Sequence, residues 1–404
     1  MKRYISRTLE SILKKAVKEF PAVVLTGPRQ AGKTTILKHF FSGSHRYISL
    51  EPPDVRSSAL ADPRGFLELY EPPLILDEIQ YVPELLFYIK EKIDQNRDRY
   101  GQYVLTGSQN LLLLQQVTES LAGRAAMLRL LPLSYPEING KPEQSFPWER
   151  EKRISSTLSI RDFWPLMLRG SYPELHEHPE KDSALWQGSY LQTYLERDIR
   201  SLRQIGDLTQ FQLFLRSVAI RSGQLFRISE VAKEIGLSVN TIKAWLGVLE
   251  ASYQVVILRP YFVNRGKRLV KTPKVYFLDV GILCYLLGLQ EVESLYRGAM
   301  AGPIVETFLF SEIYKRLSSR GGHPELYFWR TSTGQEVDLL IEERGKLIPI
   351  EVKASSTPKP QMAKGILTFQ KDFPKEVEKG YVIHLGEQVL PLAPNVEALP
   401  FAQL

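Results

Sequence analysis

Residues 22–40 narrow the fold more than any other stretch. Ala22-Val23-Val24-Leu25-Thr26 is a short apolar run rich in β-branched residues, the composition of a parallel strand buried on both faces. Gly27-Pro28-Arg29-Gln30-Ala31-Gly32-Lys33-Thr34 follows at once, and then the helix-like Thr35-Ile36-Leu37-Lys38-His39-Phe40. G-x-x-x-x-G-K-T set between a strand and a helix is a phosphate-gripping loop. Its glycines let successive backbone N–H groups turn toward one point, and the helix start adds the positive end of its dipole. Lys33 is expected to reach the β- and γ-phosphates and the Thr34 hydroxyl a Mg2+ ion. Gly27, Pro28, Arg29, Gln30, Ala31, Gly32 and Thr35 complete the expected nucleotide contacts. Upstream, Leu9, Ile12, Leu13, Ala16, Val17 and Phe20 repeat at helical spacing, so a helix is expected over 6–19, closed by Pro21.

A second apolar run, Pro73-Leu74-Ile75-Leu76, delivers the adjacent carboxylates Asp77 and Glu78 at a strand's carboxyl end, where open α/β sheets hold ligands. Asp77 suits the Mg2+ shell with Thr34, and Glu78 suits polarising an attacking water. A glutamate in that place favours hydrolysis over transfer to a small acceptor. The strand Tyr103-Val104-Leu105-Thr106 ends in Gly107-Ser108-Gln109-Asn110, whose polar side chains suit sensing the γ-phosphate. Leu121-Ala122-Gly123-Arg124 precedes another apolar strand at 126–131, so Arg124 stands at a helix–strand junction, a place from which a guanidinium stabilises transition-state charge.

Together, Gly27–Thr34, Leu76-Asp77-Glu78-Ile79-Gln80, Leu105-Thr106-Gly107-Ser108-Gln109 and Leu121–Arg124 resemble the AAA+-type P-loop ATPases common in archaea and bacteria, in which an ATPase domain is joined to a C-terminal region of uncertain function. The resemblance implies ATP as the nucleotide and ATPase activity. It puts Ser108, Gln109 or Asn110 at the first sensor and Arg124 at the arginine-finger junction, a role that requires an oligomer. Arg169-Gly170-Ser171-Tyr172-Pro173 looks like the Gly-x-x-Pro turn with which related ATPases cover the nucleotide. Arg169 and Arg197 both remain open as second sensor.

Residues 139–160 are polar and broken by Pro142 and Pro147, which marks a joint after an ATPase core at 1–138. Residues 161–205 read as a helical lid and 206–275 as a winged helix-turn-helix. There Ser229 is expected to cap one helix, Gly236 to make the turn, and Ser238 to cap a second helix with Ile242, Trp245, Leu246 and Leu249 inward. Asn240, Thr241, Lys243 and Ala244 then face a DNA groove. Arg259, Arg265, Lys267, Arg268, Lys271 and Lys274 follow without an acid among them, with Tyr261 and Phe262 interleaved, a run suited to tracking phosphates.

In the last segment, 276–404, strands over 325–331, 336–341 and 347–353 carry the chemistry. Alternation puts Glu351 and Lys353 on one face, within reach of Asp338. Two carboxylates beside a lysine suit Mg2+ or Mn2+ and an activated water. Asp338…Glu351-x-Lys353 resembles the PD-(D/E)XK nuclease core, with Glu306 where a junction-resolving nuclease carries its helical glutamate; Glu336 is the alternative to Glu306.

The expected fold class is therefore α/β: a P-loop AAA+ parallel sheet with a helical lid, a winged helix-turn-helix and a C-terminal α/β nuclease-like domain. Cys284 is the only cysteine, which excludes an internal disulfide and cysteine-built zinc sites. No apolar run has a membrane span's length, so a soluble, cytoplasmic chain is expected. The net charge of +7 permits an anionic partner. Two function classes follow: an ATP-regulated DNA-processing enzyme, or an ATP-dependent switch whose C-terminal domain is a catalytically silent platform. Expected partners are ATP, DNA, and a further copy of the chain or another protein.

Overall fold

The computed structural model describes residues 4–107, 117, 119–150, 160–194, 207–261 and 271–404. The first sheet is parallel throughout, in the order β2-β3-β4-β1-β5: β1 is Ala22–Thr26, β2 Arg46–Ser49, β3 Leu74–Asp77, β4 Tyr103–Thr106 and β5 Ala125–Arg129. Side chains alternate between two cores. Val23 and Leu25 join Leu13, Ile36 and Leu37 on one face; Ala22 and Val24 join Leu76, Leu86, Ile89 and Leu105 on the other. Burial on both faces explains the unbroken apolar runs. The first helix begins at Leu9, later than its spacing predicts. Its expected first turn is diverted: the Arg7 N–H donates to Glu10 and the Thr8 N–H to Glu137, at 2.7 and 2.8 Å.

The second sheet runs β13-β14-β12-β11-β10-β9-β7-β8-β6. Its strands are β6 Gln224–Leu225, β7 Val255–Pro260, β8 Lys274–Phe277, β9 Leu326–Arg330, β10 Glu336–Glu343, β11 Lys346–Lys353, β12 Gly380–His384, β13 Leu390–Ala393 and β14 Val396–Pro400. β9, β10 and β11 form an antiparallel meander, to which β12 adds in parallel. On the other side β7 pairs with β9 through Arg259↔Tyr327 and Pro260↔Phe328. Strands from both sides of residue 275 thus share one sheet, because β7 covers a β9 edge that would otherwise expose its hydrogen-bonding groups. One hydrophobic core runs from Leu131 through the lid and the helix pair to Leu404.

The helix pair Ile228–Ile235 and Val239–Ala251 turns at Gly236, whose φ is 75°. Ser238 caps the second helix by accepting from the Thr241 N–H at 3.0 Å. Ser229 caps nothing, since the first helix already starts at Ile228. Ile242, Trp245, Leu246 and Leu249 are buried, with Trp245 edge-on to Phe211 and Phe214.

The described part of the expected joint, 139–150, is packed rather than slack. Phe146 is fully buried, stacked on Trp148 at 4.7 Å and under the Arg316 guanidinium at 3.8 Å. That straps it to the helix Ala301–Ser318. The described helices of the segment expected as a lid are Ile160–Arg169, Pro173–Glu177 and Ser183–Tyr194. Among the described residues no helix is long and apolar enough to cross a membrane.

Candidate functional site

The loop after β1 has the curl that its glycines predict. Gly27 has φ 147°, and a Cβ there would be driven into the Leu130 carbonyl oxygen, so only glycine fits. Gly32, at φ 92°, starts the helix Lys33–Phe40. The buried Lys33 Nζ donates to the carbonyls of Gly27 and Pro28, each at 2.9 Å. Across the loop, Thr34 Oγ1 donates to Asp77 Oδ2 at 2.9 Å, and the Glu78 N–H donates to Asp77 Oδ1 at 3.0 Å. Glu78 itself takes the left-handed conformation, φ 58° and ψ 44°. A non-glycine residue is held there only where its surroundings compensate the strain, commonly at a site of function. Gln80 Nε2 donates to the Glu78 carboxylate.

These groups open onto a cavity of about 510 Å³, within the usual range for small-molecule sites. Arg29, Gln30, Lys33, Thr34, Asp77 and Glu78 form its floor; the lid contributes Glu174, His178, Lys181, Tyr190 and Tyr194. The donor set fits a nucleotide and its Mg2+. A hydroxyl and a carboxylate already in contact make two hard oxygen ligands, beside a lysine and a loop whose first glycine leaves no room for a side chain. Two supporting residues were missed. The Tyr47 hydroxyl also donates to Asp77 Oδ2, at 2.5 Å, and burial together with that carboxylate pushes its phenol pKa up. Arg7 Nη1 donates to the Ala31 carbonyl at 2.9 Å and so braces the loop from behind. Neither carries a motif; only proximity in space reveals them.

The expected arginines lie elsewhere. Arg124 is at the amino end of the sheet, its carbonyl accepting from the Ala22 N–H, roughly 16 Å from the loop by strand rise. It pairs bidentately with Asp94, at 2.7 and 2.9 Å. It does not reach its own chain's phosphate site. Arg169 donates to the carbonyls of Leu175 and His178, bonds that close the short helix Pro173–Glu177. Ser108, Gln109, Asn110 and Arg197 lie outside the described residues, as do Phe262, Arg265, Lys267 and Arg268. Asn240, Lys243 and Lys271 are exposed, while Thr241 and Ala244 are half-buried, with Thr241 Oγ1 on Ser238 at 2.8 Å.

The second sheet brings Glu306, Asp338, Glu351 and Lys353 into one cluster. Lys353 Nζ is 2.8 Å from Glu351 Oε2 and 3.8 Å from Asp338 Oδ2. Asp338 sits where the β9–β10 register slips, an irregularity of the kind that re-aims side chains. It accepts from the Val352 N–H at 2.8 Å. Glu306 and Glu336 are both present, and both hold Lys274, at 2.8 and 2.6 Å. This corrects the expectation for Lys274: it is buried among acids at the start of β8 and cannot track phosphates with its neighbours. Burial opposes its charge, yet Glu306, Tyr276, Asp338 and Glu336 keep its ammonium pKa well above the ordinary value. Burial also raises Glu351, helped by the Asp338 charge. Asp338 is lowered despite burial, by Lys274 and Lys353. Among the described residues no group of three or more acidic, histidine or cysteine side chains is arranged to hold a metal ion.

Residues 19–139 match the family model described as an AAA domain. With the parallel sheet and its loop, this part of the chain is a P-loop ATPase-like domain of the AAA type. Residues 160–293 and 301–404 match two domains of unknown function, DUF8612 and DUF4143. An uncharacterized protein of Mycobacterium tuberculosis is 29% identical over 393 residues, covering 97% of this chain and 82% of that protein. Another, from Methanocaldococcus jannaschii, is 23% identical over 370 residues, covering 86% and 78%. Among solved structures, the Walker-type ATPase of Pyrococcus abyssi aligns with TM-score 0.45 at 14% identity, over 70% of this chain and 96% of that one.

Proposed function

We propose that the chain binds and hydrolyses Mg-ATP. The observation that carries this is the Thr34–Asp77 contact beside Glu78, inside a cavity walled by both loop and lid. Lys33 would leave its two carbonyls for the phosphates, and the Glu78 carboxylate would orient a water and take its proton. Bound Mg2+ would supply charge neutralisation at the phosphates, held by Thr34 and Asp77. Adenine as the base rests on the AAA likeness. Calorimetry and phosphate release test the reading. Lys33→Ala should weaken ATP binding about 100-fold, the worth of charge-assisted hydrogen bonds. Glu78→Gln should keep binding and slow hydrolysis by about 100-fold or more. Full turnover in either variant rejects the proposal.

The lid links this cavity to the helix pair, which supports a nucleotide-dependent response there. Tyr194 OH lies 2.8 Å from Ser252 Oγ, and Gln254 Nε2 donates to Tyr190 OH at 3.1 Å. Tyr253 OH is 3.1 Å from Thr26 Oγ1, at the strand end that feeds the loop. We read the pair with β7 and β8 as a winged helix, whose exposed Asn240, Lys243 and Lys271 favour a nucleic-acid contact continued by Arg265, Lys267 and Arg268. Reversing the charge at Lys267, Arg268 and Lys271 should weaken DNA retention and flatten its salt dependence. Unchanged retention rejects DNA as the partner. The order helix, three-strand meander, helix, parallel strand over 301–384 supports a nuclease-like C-terminal fold. The surroundings of Lys274 favour the second function class, a switch with a catalytically silent platform.

A further inference from the structure

We infer that Lys274 is the resident cation of the C-terminal carboxylate cluster: its ammonium stands where a nuclease of this fold would hold a divalent metal, and the chain takes up no Mg2+ or Mn2+ there while Lys274 is in place. The inference rests on the nuclease-like reading of the second sheet and is independent of ATP chemistry.

Placement comes first. Lys274 and Tyr276 alternate onto one face of β8, and both reach Glu306 Oε1, at 2.8 and 2.6 Å. The same Nζ is 2.6 Å from Glu336 Oε1 and 3.9 Å from Asp338 Oδ1. One ammonium, 4% exposed, therefore faces three carboxylates, one from the helix Ala301–Ser318 and two from β10. At least one oxygen of each carboxylate that would ligate a metal is already engaged. Glu306 Oε1 accepts two bonds, Asp338 Oδ2 takes the Val352 N–H, Glu351 Oε2 holds Lys353, and Glu336 Oε2 holds Arg330 at 2.7 Å.

Size and charge follow. Mg2+ draws its oxygens to about 2.0–2.1 Å and asks for octahedral geometry. The carboxylate oxygens here are spaced for a hydrogen-bonding ammonium instead, with Lys274, Lys353 and Arg330 supplying positive charge to Glu306, Glu336, Asp338 and Glu351. A dication entering beside three resident cations would meet their repulsion. The residues thus do not fit a metal as they stand, and no hydrolytic step through one is derived. The cluster instead ties β8, the helix Ala301–Ser318, β10 and β11 together, which is the work of a structural joint.

Mn2+ titration of the full-length, nucleotide-free protein, followed by calorimetry and by the spin resonance of free Mn2+, tests this. Wild type and Asp338→Ala should take up Mn2+ alike, because the cluster contributes nothing. Lys274→Ala should gain one site at least tenfold tighter than any in wild type, lost again in the Lys274→Ala/Asp338→Ala double variant. Wild-type uptake that drops with Asp338→Ala would overturn the resident-cation assignment and leave the nuclease-like reading standing. A folded Lys274→Ala protein without a new site would overturn both. Lys274→Gln keeps length and a donor should the alanine variant fail to fold. If neither folds, the wild type and Asp338→Ala comparison still decides: equal uptake supports the assignment, unequal uptake ends it.

Discussion

Two buried lysines, one opening the helix after β1 and one opening β8, have opposite surroundings. Lys33 rests on two backbone carbonyls at the mouth of a cavity. Lys274 is clasped by Glu306 and Glu336 with Asp338 behind them. Neutral carbonyls are weak holders of a cation, and an arriving polyphosphate outbids them. Carboxylates are full counter-charges in a low-dielectric interior, where a pair is hard to break once formed. On the proposed function, the difference separates a lysine that receives a phosphate from one that is part of the scaffold.

The largest effect that sharpens this contrast is on stability. Lys274→Leu should cost about 3–5 kcal/mol in denaturant unfolding, because it strands buried carboxylates without their counter-ion. Lys33→Leu should cost about 1–3 kcal/mol, as the carbonyls of Gly27 and Pro28 lose their donor. Equal losses would break the comparison.

A smaller effect is in pH. Burial pushes the Glu306 carboxyl up to about 7, against the pull of Lys274 and with the help of Asp338. The folded state then keeps a proton that the unfolded chain releases from about pH 4.5 upward. Stability should therefore fall as pH rises from about 4.5 to 7, with Lys274, Tyr276, Glu336 and Asp338 facing the titrating group. Thermal melts across that window check it, and Glu306→Gln should flatten the slope; a slope unchanged in that variant assigns it to another group.

The smallest effect concerns the bridge between the regions. Tyr194→Phe removes the hydroxyl bonded to Ser252, worth about 0.5–1.5 kcal/mol. ATP affinity should stay within about twofold, while the change in DNA affinity on adding ATP shrinks. An undiminished change would mean that the signal does not pass through this contact.

Much of the phosphate site was legible because it is local. Strand, loop and helix follow one another along the chain, so residues 22–40 carry almost the whole construction, and the apolar run before Asp77 adds the opposing wall. The helix pair was legible for the same reason, through Gly236 and the spacing of Ile242, Trp245 and Leu249. What the sequence did not show is which partners the charged side chains meet. Arg124 and Arg169 have the composition of ligand-binding residues, and the folded chain holds them on Asp94 and on the carbonyls of Leu175 and His178. Lys274 read as one more member of a basic run until the sheet turned its side chain away from its neighbours and toward Glu306.

Chain order alone determined the phosphate loop, the carboxylate pair beyond it and the strands bearing Asp338, Glu351 and Lys353, because backbone conformation and side-chain alternation are set over a few residues. Which charges meet was decided only when β7 joined β9 and closed one sheet across residue 275. Electrostatic partners are chosen by distances of a few ångströms, and sequence separation does not encode them: Lys274 and Glu336 lie far apart along the chain and 2.6 Å apart in space.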